Sequence, residues 1–248
     1  LFLDAPARGW DFSRAQDAVL AAQPEMICIN AVYFWEHTGH LFDFLAGLKT
    51  RAPDSHLNLF GFFPSLIYEA LLYQVPAVDS IAVGECEWTL VELAKRLQAG
   101  SRWQCIPGLA IRSAGNPVLT ASRAPEVDPD QFPFPRRVSD ELWTPDTRRT
   151  SASDNLTASV LASRGCYNHC SFCPIPTFYN QGPLWRGRSP DNVFREVAEL
   201  VDRGFTDIYF VDPNFFGPGR RGRLRVLELA ERLETLGISF GMETRPDD

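Results

Sequence analysis

The sequence predicts an α/β fold in two parts, a doubly wound parallel sheet followed by part of a β/α barrel. Short apolar runs alternate with amphipathic helical segments in residues 1–105, and the alternation resumes over 156–248. A stretch rich in Pro, Asp, Ser and Arg, preceded by a small predicted hairpin, separates them as a linker over 106–155. Continuous apolar runs between helices are typical of parallel strands buried on both faces.

The predicted strands of the first part are four apolar runs, and the segments between them repeat apolar residues at the helical spacing. The runs are LFLDA at 1–5, EMICINAV at 25–32, HLNLFGF at 56–62 and SIAVGE at 80–85. The first run predicts a strand that begins at residue 1. Cys28, within the second run, is expected to be a small buried core residue. Ligands of such sheets bind at the carboxyl ends of the strands.

The second part begins with a predicted strand, LTASVLASRG, that leads into a cysteine-rich loop. FTDIYFVDPNFF at 205–216 and ISFGMETRPDD at 238–248 are the next two strands. Ser189 is predicted to cap the helix between the first two strands, with Pro190 at its first position. Three strands and two helices do not close a barrel, so we expect the sequence to be cut from a longer protein.

Composition restricts the class of protein. The net charge of −7, without a basic run, disfavours a nucleic-acid partner. No apolar stretch reaches the roughly 18 residues that span a bilayer. Six cysteines in 248 residues are too few for a disulfide scaffold, and three of them are clustered. This pattern favours a metal site in a reducing compartment such as the cytoplasm.

The cluster of cysteines is Cys166, Cys170 and Cys173, with the spacing CxxxCxxC. Thiolates at this spacing suit an iron–sulfur cluster or zinc. Because a 4Fe–4S cluster has four irons, three cysteines leave one iron open for chemistry. Zinc remains the alternative, but it needs a fourth ligand, and His169 is a poor one because it adjoins Cys170. Free thiols are the third possibility.

The segment SRGCYNHCSFC resembles the signature of the radical S-adenosylmethionine (SAM) superfamily, which follows the first barrel strand. The resemblance implies that the three cysteines bind a 4Fe–4S cluster whose fourth iron chelates the amino and carboxylate groups of SAM. The reduced cluster would split SAM into methionine and a 5′-deoxyadenosyl radical. The resemblance also implies that Phe172 lies against the adenine, and that an electron donor such as flavodoxin or ferredoxin is a partner.

The next two strand ends are similar to the family's SAM-contacting segments. IYFVDPNFFG stands where relatives have a DDxF-like sequence, which implies that Asp212 and Asn214 contact SAM. Pro213 replaces the second acid of that pattern. Glu243 at the third strand's end is a further predicted SAM contact, and Arg245 would contact SAM or substrate. The structural alternatives are a turn or helix cap for Asp212 and an ion pair between Glu243 and Arg245.

The first part resembles the Rossmann-like cobalamin-binding domain that precedes many radical SAM domains, with its first strand missing upstream. VDSIAVGECEWTLVELAKRL is similar to the Gly-Glu-Gly-Glu and Thr-Leu pattern of relatives, and LFGFFPSL stands at their Gly-Gly-Pro-His. No Asp-x-His-x-x-Gly motif supplies a lower axial histidine. The alternative is that the candidate residues only shape tight turns and core. The predicted cobalamin contacts are Tyr33, Gly61, Phe62, Gly84 and Glu85.

The predicted function is cobalamin-dependent methylation of an unactivated carbon in a small-molecule or natural-product substrate. A second enzymatic alternative is ring formation, oxidation or rearrangement with an idle cobalamin domain. Methylthio transfer to RNA is disfavoured, because that family usually has further cysteines in its first domain and a basic carboxyl-terminal module. A zinc-stabilised protein without catalytic activity is the alternative of a different class.

Overall fold

The structure is a computed structural model that describes residues 1–6, 8–31, 38–136, 157–179 and 182–245. The chain divides into two compact units, Leu1–Pro125 and Glu126–Asp248. Residues 1–5, predicted as a strand, form none, because Leu1 and Phe2 are largely exposed and pair with no strand. None of the described helices is long and apolar enough to cross a membrane.

The first unit contains one five-stranded sheet. Its strands, in chain and spatial order, are β1 (Met26–Asn30), β2 (His56–Phe60), β3 (Ser80–Ala82), β4 (Leu109–Ser113) and β5 (Asn116–Leu119). The first three are parallel, and β4 and β5 add an antiparallel hairpin. The hairpin therefore extends the first sheet instead of belonging to the linker. Its turn residues, Ala114 and Gly115, both have positive φ, which is typical of a two-residue hairpin turn.

Helices cover both faces of this sheet. They are α1 (Phe12–Ala21), α2 (Thr38–Arg51), α3 (Phe62–Leu66), α4 (Tyr68–Gln74) and α5 (Glu87–Gln98). Leu41 and Leu72 pack against Leu57 on one face, and Leu93 of α5 packs on the other. The predicted parallel sheet with two covered faces is thus confirmed. Cys28 is exposed rather than buried, because it alternates with the core-facing Ile27 on the edge strand β1.

The second unit contains a parallel sheet and a separate ribbon. The sheet has the spatial order β10 (Ser239–Met242), β9 (Asp207–Phe210), β6 (Thr157–Val160). The ribbon pairs β7 (Ser163–Gly165) with β8 (Trp185–Gly187) in antiparallel orientation. The predicted strand before the cysteines is therefore two short strands that belong to different sheets. The helices are α6 (Ile175–Phe178), α7 (Pro190–Asp202) and α8 (Gly219–Glu234).

Helices α7 and α8 cover one face of the second sheet. Val197 of α7 and Leu229 of α8 belong to the same core cluster as Ile208 of β9. The start of α7 matches its prediction, since the Ser189 hydroxyl accepts a hydrogen bond from the Asn192 amide (3.1 Å) and Pro190 is the first helical residue. Strand residues on the opposite face, such as Tyr209, are not covered by these helices. The sheet therefore has an apolar helix-facing side and a more open side.

A buried carboxylate and a buried guanidinium hold the turn between β6 and β7. Asp212 accepts hydrogen bonds from the Ala162 amide (3.1 Å) and from the Ser163 hydroxyl. Arg225 of α8 donates to the carbonyl oxygens of Ala162 (2.6 Å) and Phe215 (3.3 Å). Burial raises the pKa of Asp212 to about 6, although its hydrogen bonds and Arg225 act in the opposite direction. The turn that leads to the cysteine loop is thus fixed by the end of β9 and by α8.

Two phenylalanines of the segment that precedes the undescribed residues 137–156 pack on arginines of the second unit. The Arg164 guanidinium lies 4.3 Å from the ring centre of Phe132. Phe134 faces Arg188 and Arg195 at 5.4 and 5.5 Å. Such cation–π contacts contribute about 0.5–1 kcal/mol each at exposed sites. The segment is therefore fixed to the unit that carries the cysteine loop.

Replacing Phe132 and Phe134 together with leucine should lower the free energy of unfolding of the second unit by about 1–2 kcal/mol. Leucine keeps the apolar bulk but offers no π face to the guanidinium groups. Hydrogen–deuterium exchange of the β9 and α8 amides measures this opening free energy. The control is Phe12→Leu, since Phe12 packs on Phe44 (5.2 Å). Equal exchange in the double variant and the wild type would contradict the cation–π contribution.

The stability of the second unit should fall as pH rises from about 4 to 6, because folded Asp212 binds its proton more tightly than the unfolded chain does. The ordinary pKa of 3.8 and the raised value of about 6 differ by an amount equivalent to about 3 kcal/mol at most. Asp212→Asn should remove this part of the pH dependence. Urea unfolding at several pH values tests it, and identical slopes in variant and wild type would refute the assignment.

Candidate metal and cofactor site

The cysteine loop leaves the β7–β8 ribbon at a glycine that no other residue can replace without displacement. Gly165 has φ +81°, and a Cβ there would lie 2.0 Å from the carbonyl oxygen of Leu184. The absence of a side chain therefore allows the two chain segments to approach closely directly before Cys166. The ribbon in turn is fixed by the β6–β7 turn, so the start of the loop has a defined position.

The three cysteines of the loop are free thiols in the structure. Cys170 is exposed, and Cys166 and Cys173 are partly exposed. The Cys173 amide donates to the Cys170 carbonyl (3.0 Å), which closes a turn between them. The Asn168 side-chain amide points at Cys166 Sγ (3.7 Å). A hydrogen bond to a sulfur ligand is one of the features that tune iron–sulfur clusters.

The donor set fits an iron–sulfur cluster in chemical type. Among the described residues, no three His, Cys, Asp or Glu side chains are gathered so as to hold a single metal ion. The thiolates of a 4Fe–4S cluster bind different irons and need not converge on one point. The assignment of Cys166, Cys170 and Cys173 as cluster ligands stays a prediction from the sequence. Phe172, predicted to lie against adenine, is 89% exposed within the same loop, and its role also stays a prediction.

Asp212 and Asn214, the predicted SAM contacts at the second strand end, form hydrogen bonds within the second unit. Both side chains are buried, with exposed fractions of 1% and 0%. Both oxygens of Asp212 accept hydrogen bonds at the β6–β7 turn. Asn214 Oδ1 accepts from the Gly217 amide (3.1 Å), and its carbonyl accepts from Trp185 Nε1 (2.8 Å). The hydrogen bonds of Asp212 fit the turn alternative, and the contacts of Asp212 and Asn214 with SAM stay predictions.

Glu243 lies exposed directly after β10, and its contact with SAM stays a prediction. Its Oε1 accepts a hydrogen bond from the Tyr209 hydroxyl (2.9 Å), which raises the pKa of that phenol. Arg245 donates to Asn168 Oδ1 in the cysteine loop (2.7 Å). Among the described residues, Glu243 and Arg245 form no ion pair with each other, since Glu243 accepts from Tyr209 and Arg245 donates to Asn168. The end of β10 and the cysteine loop are thus joined by a hydrogen bond.

Sequence reasoning missed Tyr209 and Asn168. Tyr209 belongs to no motif, but it alternates with the apolar Ile208 and Phe210, which places it on the opposite face of β9. That alternation was the one pattern in the sequence from which the exposed position of Tyr209 could have been predicted. Nothing in the sequence indicated that Asn168 would bridge Cys166 and Arg245.

The predicted cobalamin contacts of the first unit follow the carboxyl ends of neighbouring parallel strands. The Ser65 hydroxyl donates to the Gly61 carbonyl (2.6 Å) and accepts from the Gly84 amide (3.0 Å), so it joins the two loops. Phe62 begins α3 directly after Gly61, and Glu85 follows Gly84. Tyr33 lies outside the described residues. The structure therefore brings the two glycine loops together, and their contact with cobalamin stays a prediction.

Comparison with known proteins shows which family the second unit matches. Residues 160–248 match the family model of the radical SAM superfamily. The chain is 25% identical over 96% of its length to uncharacterized methyltransferase PH0819 of Pyrococcus horikoshii, of which it covers 49%. It is 24% identical over its full length to the anaerobic magnesium-protoporphyrin IX monomethyl ester cyclase of Rubrivivax gelatinosus, of which it covers 44%. The chain thus spans about half the length of these relatives.

The fold resembles that of a solved radical SAM methyltransferase. TsrM from Kitasatospora setae, solved with tryptophan and a SAM analogue, matches with a TM-score of 0.72 and 20% identity, over 99% of this chain and 54% of that one. TsrM has also been solved with cobalamin and a 4Fe–4S cluster. Residues 160–248, with three cysteines at the signature spacing, thus match the radical SAM superfamily.

Proposed function

We propose that this chain is part of a cobalamin-dependent radical SAM methyltransferase that methylates an unactivated carbon of a small molecule. The observation that carries the proposal is the free cysteine triad in the loop after β7, within the segment that matches the family. Further support comes from the TsrM-like fold, which extends over the first unit. The free state of all six cysteines supports a reducing, cytoplasmic location.

In this proposal the cysteines hold a 4Fe–4S cluster and the glycine loops of the first unit hold cobalamin. When bound, the cluster supplies the electron that cleaves SAM and cobalamin carries the methyl group. Asn168 orients Cys166 through its amide, and Arg245 holds Asn168 in place. The open face of the second sheet, at the carboxyl ends of its strands, receives SAM and substrate. A small flavodoxin- or ferredoxin-type protein would deliver the electron.

A second candidate is a radical SAM enzyme that closes a ring or oxidises its substrate without methyl transfer. The match to a cyclase over the whole chain favours it. Bound corrinoid separates the two, because a non-methylating enzyme with an idle first unit would be purified without it. Substrate-dependent transfer of a labelled SAM methyl group to product would then identify the methyltransferase.

The complete gene product, reconstituted without oxygen, should hold about four irons per chain and cleave SAM on reduction. Replacing Cys166, Cys170 and Cys173 with alanine should abolish both, since no thiolate ligands remain. The matched control replaces Cys28 and Cys105, which are exposed and outside the loop. Unchanged iron content or SAM cleavage in the triple variant would refute the cluster assignment, and one colourless zinc ion per chain would favour the alternative without catalysis.

Gly61→Ala should weaken corrinoid binding about tenfold or more, equivalent to at least about 1.4 kcal/mol. Gly61 has φ +108°, and an added Cβ would lie 2.6 Å from Asn30 Oδ1 at the end of β1. Gly115→Ala is the matched control, because Gly115 also has positive φ but has open space around it. Corrinoid absorbance after dialysis provides the measurement. Equal retention by the two variants would show that the Gly61 loop is not part of the cobalamin site.

A further inference from the structure

The open face of the second sheet has a row of polar side chains that satisfy one another. Thr157, Asp207 and Ser239 occupy one register across β6, β9 and β10. The two Asp207 carboxylate oxygens accept hydrogen bonds from the Thr157 hydroxyl (3.0 Å) and the Ser239 hydroxyl (3.2 Å). Both oxygens thus have a partner within the sheet. This row lies at the amino ends of the strands. Because its hydrogen bonds are satisfied within the sheet, it is not a candidate ligand site.

The next row on this face has Tyr209 between Ser159 and Gly241. A Cβ on Gly241 would lie 3.1 Å from Tyr209 Cδ2 and 3.4 Å from Cε2. Gly241 does not need glycine for its backbone conformation, so the missing side chain serves to make room. The Tyr209 ring therefore lies across β10 and directs its hydroxyl to the end of that strand.

The hydroxyl of Tyr209 meets Glu243, which is fixed at two points. Glu243 Oε1 accepts from Tyr209 (2.9 Å), and its carbonyl oxygen accepts from the Phe215 amide (3.1 Å). Within the described part of the chain, Oε2 has no hydrogen-bond partner. An ionised carboxylate only accepts hydrogen bonds, so this oxygen requires an N–H or O–H donor from a ligand.

The connection between the Glu243 segment and the cysteine loop restricts which group of a ligand can donate a hydrogen bond to Glu243 Oε2. Arg245, two residues further on, donates to Asn168 (2.7 Å), and Asn168 in turn contacts Cys166. The segment after β10 that carries Glu243 is therefore joined to the loop that holds the predicted cluster. If SAM binds this cluster through its amino and carboxylate groups, the α-amino group is the N–H donor nearest to the loop, and the SAM carboxylate would be repelled by Glu243.

We propose that Tyr209 is a positioning residue, which holds the Glu243 carboxylate so that its second oxygen accepts a hydrogen bond from the α-amino group of SAM. This inference rests on the proposed function. Tyr209 contributes its hydroxyl only to Glu243 and does not itself contact the reacting atoms. Gly241 is part of the same arrangement, because its missing side chain leaves room for the Tyr209 ring across β10.

The test compares the affinity of the reconstituted complete gene product for SAM and for an analogue that lacks the α-amino group. Tyr209→Phe keeps the ring and removes the hydroxyl, so SAM should bind about three- to tenfold more weakly, with iron content and analogue affinity unchanged. Gly241→Ala should give the same selective loss by displacing the ring. Tyr68→Phe is the matched control, since Tyr68 donates to Glu69 (3.2 Å) in the first unit.

The outcomes distinguish this inference from the proposed function. If Tyr209→Phe binds SAM as tightly as the wild type, or loses affinity equally for SAM and the analogue, the assignment of Tyr209 is overturned while the proposed function stands. If the wild type holds its irons but does not bind SAM, or holds no iron, the proposed function fails and this inference fails with it.

Discussion

The second unit depends on the buried guanidinium of Arg225. It donates to carbonyl oxygens of three separate segments, at Ala162, Arg188 and Phe215. A buried carbonyl left without a partner costs about 1–3 kcal/mol. Arg225 thus stabilises the Arg188 and Phe215 carbonyls, and it shares the Ala162 carbonyl with the Arg188 amide. Desolvation lowers the pKa of Arg225 to about 10, which leaves it charged at neutral pH. Because Ala162 lies four residues before Cys166, this network also determines where the cysteine loop begins.

The two faces of the second sheet have different roles, one in the core and one on the open side. Residues Ile208 and Phe210 pack under the helices, whereas Tyr209 faces the open side. The end of β10 reaches the cysteine loop through the hydrogen bond from Arg245 to Asn168. The thiol donors and the exposed carboxylate of Glu243 thereby lie on two segments that this hydrogen bond joins, and both segments follow carboxyl ends of strands, where α/β folds bind their ligands. In the proposed function, this arrangement is where SAM would bind.

Local patterns in the sequence were sufficient to predict most strands and helices and the cysteine loop, but they did not predict the roles of individual side chains. Apolar periodicity located β1, β2 and α7, whereas the apolar residues 1–5 had no partner strand to join. The resemblance of IYFVDPNFFG to a DDxF-like sequence predicts that Asp212 contacts SAM. Counting by two from Phe210 puts Asp212 on the buried face, where the structure has it. The contact of Tyr209 with Glu243 depends on the register of β9 and β10, which no local pattern specifies.

The central claim is that three cysteines hold a 4Fe–4S cluster with one iron open to SAM. Mössbauer spectroscopy of the complete gene product, reconstituted with iron-57 and measured with and without SAM, tests this claim most directly. The account predicts that one of the four irons changes its isomer shift when SAM is added, while the three cysteine-bound irons keep theirs. A spectrum that SAM leaves unchanged, or a protein that takes up no cluster, would contradict it.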